Sequence, residues 1–384
     1  MFNPLMLAKG SSCPKLLLPL FLLSMLLIVS AAEAQTATMD VVYGKRLFAP
    51  GDEGCFWRIP AILCLDDGSL LATCDRRKNT EGDLPEDIDV VAIRSTDNGN
   101  TWSRPSVVAQ GRGRGRGYGD AALVQCVDGT VVCTFAGGNG FWNSSAENPI
   151  RTFVCRSSDG GETWSLPEDI TSLIWGSQAV NPQCRAYRGS FNASGNGLRL
   201  RQGDHKGRIL FVAAACRSDV WQADNFAIYS DDNGLTWHVS DLAYSSGDEA
   251  KVVELPDGRL LMSVRQNGER GYAYSSDGGQ TWHSQGRWHD VVTNACNGDL
   301  LLLDTYNGRS KVLLMSLPNS MNREDVSLFV SYDCGTSWSV QRTVQRGPSA
   351  YSSMTLLPDG SIAMFAEKLR GDQTELWFLR ICIQ

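Results

Sequence analysis

Short apolar runs of strand length recur along the chain, each entered through a two-residue turn. The turns fall at Asp67-Gly68, Asp128-Gly129, Lys206-Gly207, Asp257-Gly258, Asn297-Gly298 and Asp359-Gly360, and runs such as Leu260-Leu261-Met262 follow them. Asp-Gly or Asn-Gly between apolar segments is the strongest short-range hairpin signal, because these residues accept the positive φ that a tight turn demands. Six such turns predict six small antiparallel sheets.

A second pattern interleaves with the first. The phrase Ser-x-Asp-x-Gly-x-Thr-Trp occurs five times, at 95–102, 157–164, 230–237, 275–282 and 331–338, with Ser337 in place of Thr in the last copy. Asp and Gly supply turn chemistry and Trp an apolar anchor; such turns are known as Asp boxes. A unit repeated every 45 to 70 residues or so predicts a stacked or radial array rather than one ordinary core. Each of the first five hairpins is followed by an Asp box, whereas the sixth is followed by one further strand, 376–383, which leaves its sheet a strand short. The segment 41–48 is expected to supply that strand and close a ring. The pattern therefore predicts an all-β chain, a six-bladed β-propeller with five Asp boxes.

Composition fits turn-rich, aromatic-anchored β-structure: 42% hydrophobic, 20% charged, 38 Gly and 11 Trp. The formal charge of -7 argues against a nucleic-acid partner. Lys9 and Lys15 precede an apolar stretch, 16–29, and then Ala32-Glu33-Ala34 before Gln35. This is the form of a secretory leader, and the apolar stretch is short for a membrane span. The expected organisation is a leader over 1–34 and one propeller domain over 35–384. The protein is expected to be exported, to a periplasm or the cell exterior, or in a eukaryote to be lysosomal or secreted, with no stable membrane insertion after cleavage. Eleven of the 12 Cys lie beyond the leader, an odd number. Cys64 and Cys74 flank one turn and Cys126 and Cys133 another, but neither pair is directly opposite in register, so buried free thiols are expected rather than a disulfide framework. Four His and no Cys-x-x-Cys spacing give no metal signal, and no cofactor is expected.

The turns also set a register. Arg58 precedes Gly68 by ten residues, and Asp120, Glu249 and Tyr351 precede Gly129, Gly258 and Gly360 by nine. In a propeller the first strand of each blade lines the axis, so these residues begin their strands at one face. Counting forward, the second strands return to that face at Arg76, Arg265 and Glu367, while the Asp boxes fall at the opposite face. Arginines, carboxylates and a Tyr gathered at an axis form either a structural ion-pair network or an anion-binding pocket, since burying them unpaired is costly. Arg is the side chain suited to bidentate capture of a carboxylate.

At this point the residues resemble a known family. Phe56-Trp57-Arg58-Ile59-Pro60 resembles the Arg-Ile-Pro motif of exo-sialidases (neuraminidases), with Trp where Tyr or Phe is commoner, and the Asp boxes resemble theirs over essentially the whole mature chain. Gly247-Asp248-Glu249 followed by Ser263-Val264-Arg265 is similar to the family's catalytic Glu and second Arg, Asn322-Arg323 to its third Arg, and Gly347-Pro348-Ser349-Ala350-Tyr351-Ser352 to its nucleophile motif. The resemblance implies that Arg58, Arg265 and Arg323 clamp the sialic acid carboxylate and that Glu367 orients Arg58. It further implies that Tyr351 attacks the anomeric carbon as Glu249 withdraws its proton, and that Asp83, 25 residues after Arg58, is the acid/base. Arg76 and Asp120 are implied to contact the ring hydroxyl and N-acetyl side. Sialylated glycans are the expected substrates. A trans-sialidase or anhydro-product enzyme shares these residues, whereas a non-catalytic glycan-binding module would have lost Tyr351, Glu249 or Asp83.

Some segments stand outside this scheme. The alternating tract 111–117, Gly-Arg-Gly-Arg-Gly-Arg-Gly, lies just before Asp120 and is expected to be a flexible solvated loop at the pocket mouth. The polar, Gly-rich stretch 180–205 is expected to be a loop over the site. Phe141-Trp142 either packs in the core or walls the N-acetyl pocket. Asn143-Ser144-Ser145 and Asn192-Ala193-Ser194 match the N-glycosylation pattern.

Overall fold

The computed structural model describes residues 38–383 apart from 175, 177–178, 180 and 307; the expected leader lies outside the described residues. Nearly all regular structure is β-strand, organised as five hydrogen-bonded sheets. Four of them take one Asp box each and are built from the strands starting at Phe56, Tyr118, Tyr187 and Ala250. The fifth has seven strands, because the 18-residue strand Ser339–Leu356 belongs to two antiparallel groups. Its first half pairs with Glu324–Ser331 and its second half with Ile362–Arg370.

The closing strand behaves as the pattern predicts. Met39–Phe48 pairs antiparallel with Gln373–Ile383, from Met39 opposite Ile383 to Phe48 opposite Leu376. Innermost strands of neighbouring sheets touch in cyclic order, and Phe56–Cys64 meets the second half of Ser339–Leu356 to complete the ring. The hydrophobic core is accordingly divided into layers between sheets. Ile62, Leu70, Phe365 and Phe378 fill one, and Leu71, Leu123, Val131 and Phe135 the next.

The Asp boxes show why the phrase repeats. In the second copy, Ser157 Oγ accepts from the Gly161 amide at 2.8 Å and donates to Asp159, whose carboxylate accepts from the Thr163 amide at 2.9 Å and from its hydroxyl. Residues 160 and 161 both take positive φ, 69° and 89°, as do Asn98-Gly99, Asn233-Gly234, Gly278-Gly279 and Cys334-Gly335 at the same places. The second of each pair is always Gly for a further reason. It lies against the preceding sheet, where a Cβ on Gly161 would stand 2.6 Å from Leu71, and one on Gly335 2.3 Å from Leu261. Each box thus locks its own turn and spaces two sheets.

Two sequence expectations are corrected here. Asn297-Gly298 is not a hairpin turn. Gly298 has no positive φ and abuts Leu317 and the Ser316 carbonyl, and the hairpin reverses instead near Gly308, between Asp299–Tyr306 and Arg309–Pro318. The stretch after residue 180 is not a loop over the site but the innermost strand of its sheet in pieces. Tyr187–Asn192 and Leu198–Arg199 both pair with Ile209–Arg217, while Gly195–Asn196 crosses to pair in parallel with Ala122–Leu123 of the preceding sheet. Its lack of an apolar run reflects this crossing. Asn192 and Ser194 are buried by it, which removes that glycosylation pattern from the surface, whereas Asn143 is exposed. All eleven described cysteines are free thiols, seven of them buried.

Candidate active site

Three innermost strands open with a β-bulge at the same level. Two residues oppose one at Ile59-Pro60, Asp120-Ala121 and Ala350-Tyr351. Bulges bend a strand and re-aim its side chains, and here Ile59 and Asp120 carry φ of 60° and 59°. The bulge amides are held by buried carboxylates, those of Ile59 and Asp120 from the adjacent sheet and that of Tyr351 from the neighbouring strand of its own sheet. Asp75 accepts from the Asp120 amide at 3.1 Å, and Glu367 from the Ile59 amide at 3.0 Å and the Tyr351 amide at 3.2 Å. Asp75 and Glu367 both stand seven residues after a turn glycine, the position at which Arg265 also stands.

Glu367 is wholly buried and grips Arg58 through two parallel bonds, Nε to Oε1 at 3.1 Å and Nη2 to Oε2 at 3.2 Å. Burial opposes its ionisation, but Arg58 and the two amides outweigh it and hold the carboxyl below its ordinary range. The free edge of Arg58 faces Asp83, 3.8 Å away. Arg265 donates Nη1 to both the Glu249 carboxylate and the Tyr351 hydroxyl, the latter at 2.8 Å. Tyr351 in turn donates to Glu249. The guanidinium carbons of Arg323 and Arg58 lie 5.5 and 5.8 Å from the Tyr351 ring centre, and Arg323 is steadied by the Ala295 carbonyl at 3.0 Å. Three cations therefore surround one phenol.

Burial sets the protonation states. Glu249 is 2% exposed, and desolvation raises its carboxyl pKa against the pull of Arg265. Desolvation and the neighbouring Glu249 raise Tyr351 well above the ordinary phenol value, so it rests as the neutral phenol. Asp83 differs. Its side chain is 72% exposed, and although partial enclosure raises its pKa, Arg77 at 2.8 Å and Arg58 outweigh that and lower it.

The structure brings Arg58, Asp83, Asp120, Glu249, Arg265, Arg323, Tyr351 and Glu367 into one cluster and leaves Arg76 out. Arg76 points to the other side of its strand, where Asp89 and Glu53 hold it at 2.7 and 3.0 Å. The correct register was available: Asp75, not Arg76, is seven residues after Gly68, and Arg77 is two further on the same face. Arg77 is buried, bridging Asp75 at 3.0 Å and Asp83. Desolvation lifts Asp75 to about 6 despite that contact, and lifts Asp120 well above its ordinary range with help from Asp75 and Asp83. Sequence reasoning also missed Lys251, two residues along the strand from Glu249, whose buried ammonium faces Asp299. Phe141 packs edge-on to Phe191, and Trp142 stacks on the exposed Trp221 at 5.2 Å.

Repeats, ring and converging arginines are matched by known proteins. The BNR repeat-like domain family model matches residues 68–364, and the chain belongs to that family of Asp-box proteins. It is 33% identical over 82% of its length to a sialidase of Micromonospora viridifaciens and 28% identical over 83% to a sialidase of Bacteroides fragilis, spanning 50% and 61% of those proteins. Among solved structures, the Hadza microbial sialidase Hz136 superposes with a TM-score of 0.76 at 27% identity, over 88% of this chain and 68% of that one. The fold is that of the sialidase β-propellers.

Proposed function

We propose that this chain is an exported exo-α-sialidase on a six-bladed propeller, the seven-stranded sheet counting as two blades that share one strand. It hydrolyses terminal sialic acids of glycoproteins, glycolipids or oligosaccharides with retention of configuration. The observation that carries this reading is the Tyr351 hydroxyl held on Glu249 and Arg265 with Arg58 and Arg323 flanking its ring.

Sialic acid bears a carboxylate on its anomeric carbon. A carboxylate nucleophile would meet like charge there, whereas a neutral phenol does not, which is why this chemistry departs from the two-carboxylate scheme. Arg58, Arg265 and Arg323 bind the substrate carboxylate and fix the anomeric carbon above Tyr351. The phenol oxygen attacks that carbon while its proton passes to Glu249. The bond to the aglycone oxygen breaks as Asp83 gives that oxygen its proton. Water then attacks from the aglycone side, losing its proton to Asp83, and the tyrosyl bond breaks as Glu249 returns the proton to the phenolate. Two inversions give retention. The cations are worth most in the planar oxocarbenium-like transition state, whose geometry clamp and nucleophile share.

The test is fluorophore release from an α-sialoside by the wild type beside Tyr351→Phe. Turnover abolished by loss of one hydroxyl supports the reading; a folded wild type without turnover defeats it. Product analysis by NMR separates hydrolysis from transfer or anhydro-sugar formation, which share the first half-reaction.

A further inference from the structure

The Arg-Gly tract is built rather than loose. Gly113 and Gly115 take φ of 107° and 79°, the Arg112 amide donates to the Arg116 carbonyl at 3.1 Å, and the Arg116 amide donates to the Gly113 carbonyl at 2.9 Å. The flanking glycines fit where no side chain does: a Cβ on Gly111 would stand 2.4 Å from the Ile88 carbonyl oxygen, and one on Gly117 2.1 Å from that of Glu86. Gly115 donates to the Pro85 carbonyl at 2.6 Å and Arg114 pairs with Glu86. Every one of these fastenings is made to the segment that follows Asp83. Glycine therefore occupies each position where the turn or the close approach excludes a Cβ, and the positions left over all carry Arg. Arg112 and Arg116 are exposed, and among the described residues neither has an ion-pair partner.

In the reaction set out above, Asp83 protonates the oxygen that leaves with the aglycone, so a turn fastened to the Asp83 segment stands beside the aglycone. We propose that Arg112 and Arg116 form a subsite for an anionic group carried by the aglycone, a second sialic acid carboxylate or a sulfate ester two or more sugars from the scissile bond. The proposal rests on the sialidase reading. Two guanidiniums held on a closed turn offer planar, bidentate capture of either oxyanion. In a chain of net charge -7 they also make the aglycone side locally cationic, which steers multiply charged glycans more strongly than singly charged ones.

The experiment compares wild type with Arg112→Ser/Arg116→Ser on four substrates: umbelliferyl α-sialoside, sialyllactose, disialyllactose, and sialyllactosamine sulfated on a distal sugar. Solvated ion pairs of this kind change affinity about two- to tenfold in total. The expected result is a kcat/KM loss of that size, carried by KM, on the substrates with an anionic aglycone, and none on the first two. Loss on disialyllactose alone identifies the carboxylate, and loss on the sulfated glycan alone the sulfate. Sodium chloride at several tenths molar should reproduce the loss in the wild type, where the Debye length falls to a few ångströms. Equal effects on all four substrates, or none on any, overturn the subsite. Failure of the wild type to release umbelliferone overturns the sialidase reading and the subsite together.

Discussion

Replacing Gly161 by Ala separates the two jobs of an Asp box. The residue has φ of 89°, and its Cβ would lie 2.6 Å from Leu71 Cδ1 and 2.9 Å from Cδ2, inside a buried layer between sheets. Gly360, in a hairpin turn, has φ of 81° and nothing within 4 Å of an added Cβ. Both alanines meet the left-handed penalty of roughly 1–2 kcal/mol. Only Ala at 161 must also displace packed Leu71, which costs a further 1–3 kcal/mol or so by overpacking. The expected destabilisation is therefore about 2–5 kcal/mol at 161 against about 1–2 at 360, a large share of a typical 5–15 kcal/mol or so total. Urea unfolding followed by tryptophan fluorescence reads the difference as a shift in midpoint at constant slope. Equal midpoints for the two variants, or a lower one for the variant at 360, would refute the spacing role.

Other expectations concern the site. Asp83 is held ionised by Arg77 and Arg58 in the free protein, but a bound substrate carboxylate neutralises Arg58 and the aglycone covers Asp83, both of which raise its pKa. The protonated acid therefore persists to higher pH in the complex, so the alkaline limb of kcat should lie above that of kcat/KM; coincident limbs in paired pH profiles would count against Asp83 as the acid. Glu249→Gln removes the base while keeping the shape, and kcat should fall by about 10²–10⁴-fold with unchanged circular dichroism. Glu367→Gln loosens the grip on Arg58, with KM rising roughly tenfold or more as charge-assisted bonds are lost. Arg76→Ala should leave kcat/KM within about twofold, because its charge is spent on Glu53 and the buried Asp89, away from the site, and Lys78 remains at 2.9 Å to pair with Asp89.

Much of this was legible because it depends on local rules. Asp-Gly hairpins and Asp boxes are required by backbone conformation, so they survive in the residues themselves and give strand order and the closing segment. Failures arose where tertiary contacts decide. Gly298 reads as a turn glycine but is a glycine of close approach, a distinction that only its tertiary neighbours Leu317 and the Ser316 carbonyl make. The broken strand after Tyr187 carries no apolar alternation, since part of it leaves to pair with Ala122 and Leu123. In the site, a one-residue error in register put Arg76 where Asp75 belongs. A strand alternates its faces at every residue, so such a slip exchanges a site residue for a surface one. Counting seven from every turn glycine would have exposed the slip, because Arg265 and Glu367 both obey that count.

The clasp between Met39–Phe48 and Gln373–Ile383 also governs when the proposed carboxylate clamp can assemble. Arg58 follows the clasping strand almost at once, yet its orienting partner Glu367 is 309 residues away, in the sheet that this strand completes. An unclosed chain thus holds every reactive group but lacks the alignment of Arg58 by Glu367. Contacts so distant in sequence are among the slowest to form and the most exposed to loss when a seam frays. Catalytic competence should therefore appear only as the last blade is sewn shut and vanish before the remaining blades melt, which makes turnover a gauge of ring integrity.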